Sequence, residues 1–179
     1  ELTKIYESKG LFGITVEQRI LGDMRLLFGQ YFKTRYYRQT KKWIKSLKTK
    51  KKKDQNENSD YWLKYNNQLL VHATMFLDNL FHIIEVMNKE YNGFDPWKCV
   101  CIGSDFDGLV DPIECCPTAE DLPKFKELLF RLLNYKPFRD RYWNLVPNGE
   151  LLNDKLELLF YENIRRFTQE QISKNWPSS

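Results

Sequence analysis

The sequence predicts an α/β fold, and two observations carry that prediction. Two short apolar runs, Leu11 to Val16 and Trp97 to Gly103, read as buried strands. Long segments of helical periodicity lie between and after them. Strands joined through helices pair in parallel, with helices covering the sheet.

The elements follow in order. Leu2 to Ser8 carries a helical pattern, with Gly10 as its expected C-cap. After the Leu11 to Val16 strand, a second helical stretch starts at Glu17 and is expected to run to about Leu47, weakened by Gly22 and Gly29. Lys48 to Ser59 is low in hydrophobicity and rich in like charge, and reads as a mobile surface loop. Asp60 is placed to cap a long helix reaching to about Tyr91. Its Leu69, Ala73, Phe76, Leu80, Ile83, Ile84 and Met87 recur at three- and four-residue steps, which makes a buried stripe. Beyond the second strand, Thr118 offers an N-cap hydroxyl to a helix reaching about Leu133, with Pro123 tolerated in its first turn. Asn134 to Gly149 is rich in turn formers, and a final helix is expected over about Glu150 to Phe167.

Composition bounds the function. The chain has 179 residues and a formal net charge of +4. The basic excess sits in one place. Lys33 to Lys53 holds no acidic residue, and the rest of the chain is acidic. No run of about 18 apolar residues is seen, so no membrane span is expected. The first residues do not look like a signal or targeting peptide and read as the middle of a helix. Cys99, Cys101, Cys115 and Cys116 have poor spacing for a disulfide framework or a zinc knuckle. They are read as reduced thiols, which favours a cytoplasmic location over a secreted or periplasmic one.

One segment carries chemistry. Gly103-Ser-Asp105-Phe-Asp107-Gly108 lies where the second strand runs out. In α/β folds functional groups gather at the carboxyl ends of strands. Two carboxylates between glycines suit a tight turn beside a ligand, one to ligate a metal or take a proton from water and the other to orient a neighbour. The same residues also suit a plain turn whose aspartates bond nearby backbone N–H groups. An EF-hand is excluded, because no third ligand or closing glutamate falls in register.

Cys101-Ile-Gly-Ser-Asp-Phe-Asp-Gly-Leu109 closely resembles the last barrel strand of the membrane (renal) dipeptidase family, metallohydrolases of the amidohydrolase superfamily. Leu80-Phe-His-Ile-Ile-Glu-Val86 resembles the helix that precedes that strand. Thr118-Ala-Glu-Asp-Leu-Pro123 resembles the acidic, proline-bearing helix start that follows it. Glu162-Asn163-Ile-Arg-Arg-Phe167 resembles the closing helix, and Gly10-Leu-Phe-Gly-Ile-Thr15 fits the penultimate strand. The resemblance covers about Leu2 to Gly13 and His72 to Phe167.

It implies that residues 1–179 form one partial domain, the C-terminal portion of a (β/α)8 TIM-type barrel, helix-rich and carrying a basic helical insertion. A complete barrel needs roughly 200 residues or more. It also implies a zinc-dependent hydrolase of small amides such as dipeptides. Asp105 would be the proton shuttle, with Asp107, Gly103, Gly108 and His82 in support. The family's zinc ligands come from earlier strands, so only Asp105 stands near a metal here, and this chain without those strands is expected to be inactive. Its expected partners are a small peptide or amide substrate, the rest of the barrel, or a second copy. His72 matches no family ligand and reads as a packed core residue.

The resemblance leaves out residues 31–59, where Tyr31, Phe32, Tyr36, Tyr37 and Trp43 sit among basic residues. Interleaved aromatic and basic residues can bind nucleic acid. A solvated arm whose aromatics pack on the domain is the favoured reading. Two alternatives to the hydrolase stand. One is a non-catalytic binding or assembly module that uses this arm. The other is a mostly helical interaction domain in which Asp-Phe-Asp-Gly is a turn, and it would lack parallel strand pairing.

Overall fold

The computed structural model describes residues 2–21, 23–25, 31–33, 35–51, 67–90, 93–103 and 111–175. In chain order they form α1 (Leu2–Glu7), β1 (Phe12–Ile14), α2 (Gln18–Leu21), β2 (Asp23–Arg25), β3 (Tyr31–Lys33), α3 (Arg35–Lys51), α4 (Asn67–Glu90), β4 (Val100–Ile102), α5 (Leu122–Asn134), α6 (Lys136–Tyr142), α7 (Gly149–Glu157) and α8 (Asn163–Asn175).

β1 and β4 pair in parallel, with Phe12 opposite Val100, Gly13 opposite Cys101 and Ile14 opposite Ile102. A purely helical interaction domain would lack this pair. Both strands are shorter than their apolar runs. Pro96 to Cys99 is wound into a 3₁₀ turn, because the Asp95 carboxylate accepts from the Trp97 N–H at 3.3 Å and Pro96 pre-sets the first turn.

The expected helix from Glu17 to Leu47 is broken. α2 ends at Leu21, and an antiparallel pair of β2 and β3 follows, with Met24 opposite Phe32. Only then does α3 begin, and it continues to Lys51, into the stretch expected to be a loop. The expected cap Asp60, and Lys52 to Ser59, lie outside the described residues. α1 ends differently too. Lys9, and not Gly10, takes the left-handed conformation (φ 56°). The Gly10 N–H reaches back to the Ile5 carbonyl at 2.8 Å, closing a Schellman-type cap one residue earlier than expected. A Cβ on Gly10 would lie 3.3 Å from that carbonyl, so the glycine permits close approach.

α4 forms the spine. Its stripe is broader than the spacing required, and Leu70 to Leu77 is buried throughout. By length and composition it could cross a membrane, against the expectation that no segment would. Its most apolar window has a hydropathy of 1.3 and is 67% buried in this fold, so its hydrophobicity goes into the core. α3 supplies much of the packing around it, and α5 meets it through Phe125, edge-on to Phe76 at 5.0 Å. Pro123 does fall in the first turn of α5, but the Thr118 hydroxyl donates to the Asp121 carboxylate at 2.8 Å and makes no backbone cap.

The turn-rich stretch after Asn134 contains α6, whose Pro137 sits in the first turn, where its missing N–H costs nothing. The final helix is continuous from Gly149 to Asn175 but passes through a π turn at Leu158–Glu162. Immediately after that turn, buried Asn163 donates to the Trp97 and Val100 carbonyls at 2.6 and 2.8 Å. The helix is thereby clamped to the entry of β4.

Candidate functional site

The parallel pair determines where the Gly103 to Gly108 run emerges. Gly103 follows β4 directly, and its N–H donates to the Ile14 carbonyl at 2.9 Å. The chain is described again from Asp111, and the Ile113 N–H donates to the Val16 carbonyl at 2.9 Å. Pro112 bridges Glu17 in the antiparallel sense. The run between therefore leaves and returns on alternate carbonyls of one extended segment, at the carboxyl ends of both strands. That is the edge where α/β folds place ligands.

Close approach at this edge requires two glycines. A Cβ on Gly103 would sit 2.7 Å from the Gly13 Cα, and one on Gly13 would sit 3.1 Å from the Gly103 Cα. Both glycines are exposed, whereas Cys101, which shares their face of the strand pair, is buried. Gly103 thus has a clear structural role. Asp105, Asp107 and Gly108 lie outside the described residues.

His82 is not brought to this edge. It is exposed on α4 and borders a groove of about 550 Å³ with Asp78, Glu85, Arg141 and Trp143. His72 lies about 15 Å nearer the start of the helix, at 1.5 Å rise per residue. It is fully buried, and its Nδ1 accepts from the Glu114 N–H at 3.2 Å. That nitrogen is therefore unprotonated and occupied, as suits a core histidine. Among the described residues no three His, Cys, Asp or Glu side chains cluster as metal ligands. The described part of the chain does not fit a zinc centre by itself.

The four cysteines are buried free thiols. Burial pushes Cys115 well up, and burial with the nearby Asp121 charge pushes Cys116 to about 12. Neutral buried thiols are poor nucleophiles.

Glu17 was missed by periodicity, which made it the start of a helix. It is 6% exposed at the carboxyl end of β1, beside the return of the run. The signal available was its place just past the strand. Comparison with protein-family models, with curated proteins and with solved structures returned no match for this chain.

Proposed function

We propose that the chain is the C-terminal portion of a (β/α)8 zinc-dependent hydrolase of small amides, dipeptides foremost, with Asp105 as its proton shuttle. One observation carries the reading. The β1–β4 pair is parallel, and the Gly103-Ser-Asp105-Phe-Asp107-Gly108 run begins where β4 ends, at the carboxyl edge of that pair. Parallel sheets are found almost only with both faces covered, and two short strands alone are marginal. A parallel pair this short fits strands that belong to a larger sheet.

In that enzyme Asp105 would accept a proton from the attacking water and return it to the leaving amine nitrogen. Asp107 would orient neighbouring groups, and Gly103 and Gly108 would let the backbone turn tightly beside the substrate. Zinc supplies Lewis acidity when bound. Its ligands would come from strands that precede β1 in the barrel.

Asp105→Asn in the complete protein tests the assignment. Dipeptide turnover should fall by at least about a hundredfold, the low end of a general acid–base contribution, with metal content near that of the parent. Retained turnover would remove Asp105 from the mechanism.

A further inference from the structure

We propose that a cavity at the amino ends of β1 and β4 binds a single hydrophobic α-amino acid as its zwitterion. The two strands run in parallel, so their amino ends lie together, across the pair from the edge where the Asp105 run begins. The cavity there holds about 250 Å³. Leu11, just before β1, forms its apolar wall with Phe94 and with Phe167 of α8. Lys98, Arg166 and Glu170 bring charge to it, and Lys9 adds a further ammonium group.

The charges are of both signs and do not neutralise each other. Arg166 and Glu170 stand four residues apart on α8, a spacing at which opposite charges meet. Lys136 and Asp140, with the base first in the same way, do pair at 2.9 Å. Arg166 turns elsewhere. Its Nη2 donates to the Lys98 carbonyl at 3.0 Å and to the Asn163 Oδ1 at 3.2 Å. Asn163 is itself buried and tied to the Trp97 and Val100 carbonyls, so this anchor is firm. The Glu170 carboxylate is left without a cation among the described residues. A guanidinium and a carboxylate one helical turn apart, held from each other over one cavity, complement a zwitterion. The ligand carboxylate meets Arg166 and Lys98, and its ammonium meets Glu170.

The walls and the volume decide the rest of the ligand. Leu11, Phe94 and Phe167 are half-buried, and they offer an apolar side chain a surface that an inorganic anion cannot use. The volume falls just below the roughly 300–1,000 Å³ of drug-sized sites, which limits the occupant to one residue-sized molecule. A fatty acid or an aromatic carboxylate would satisfy the cations and the wall but would set its anion beside Glu170. Like charges disfavour that arrangement. An amino acid with a large apolar side chain meets the wall, the volume and both signs of charge together.

The test is isothermal titration calorimetry of the full chain with phenylalanine, where saturable binding at millimolar concentrations is expected. N-acetylphenylalanine lacks the ammonium and phenylalaninamide lacks the carboxylate. Each should bind about tenfold more weakly, the low end of a hydrogen bond to a charged group. Glycine, with no side chain for the apolar wall, should not bind measurably. Glu170→Gln should weaken phenylalanine by about tenfold and leave N-acetylphenylalanine unchanged, because both changes remove the same contact. Glu170 is exposed, so the variant should fold, and a melting curve checks that it does. No binding of phenylalanine would overturn the proposal. So would equal binding of its N-acetyl form, an undiminished affinity in Glu170→Gln, or tighter binding of inorganic phosphate than of phenylalanine.

Discussion

α3 and α4 lie side by side and use their surfaces in opposite ways. α4 buries nearly every side chain from Leu70 to Leu77 and makes its polar contacts at a few fixed places. α3 buries one narrow stripe and exposes Lys41, Lys42 and Lys45 on the other side, with no acidic residue along its length. One helix is held chiefly by burial. The other is held by burial against a standing electrostatic penalty, so its stability depends on the ions around it.

The difference should be largest when the α4 core is opened. Phe76 is fully buried against Phe125, and Phe76→Ala should cost about 3–5 kcal/mol, read from the urea midpoint. A loss below about 1 kcal/mol would mean that α4 is not the spine.

An intermediate effect is expected where the two helices meet α6. Asp78 on α4 accepts from Arg141 at 2.9 and 2.7 Å and from the Tyr142 hydroxyl at 2.9 Å, while Arg141 also covers Trp43 of α3. Burial, and then the Asp78 charge, push the Tyr142 phenol well above its usual value. Asp78→Ala should cost about 1–3 kcal/mol, because it strands a charged donor at a partly buried junction. An unchanged midpoint would show that the junction contributes packing only.

The smallest effect has the opposite sign. Lys41→Gln with Lys45→Gln should stabilise the chain by about 0.2–0.5 kcal/mol at low ionic strength. The gain should vanish near 1 M salt, where the screening length is about 3 Å. Destabilisation at low salt would show that those charges are compensated in the folded protein.

The same contrast explains what could be read from the sequence. α4 was legible because three- and four-residue spacing survives any detail of its neighbours. The β1–β4 pairing was legible because both runs are short, apolar and joined through a long helix. The region before α3 was not. Gly22 and Gly29 were seen only as weak points in a helix, whereas long-range pairing of Met24 with Phe32 decides the local structure. α6 was lost because Asn134 to Gly149 was read as one turn-rich stretch, although a first-turn proline such as Pro137 starts helices as well. At the candidate site Gly103 was found from its motif, and the structure adds that Gly13 must be small for the same reason. The place of Glu17 was hidden because it is fixed by a backbone bridge to Pro112, far along the chain.

The two carbonyls of Ile14 and Val16, which hold the chain before and after the Asp105 run, lie about 7 Å apart in an extended segment. What hangs between them is an exchangeable cassette. Its ends are fastened by backbone groups that every residue possesses, and doubling its length would add only about 0.6 kcal/mol of closure entropy. Inheritance can therefore rewrite the residues between these fastenings while the frame stays fixed, so the two are free to evolve at different rates.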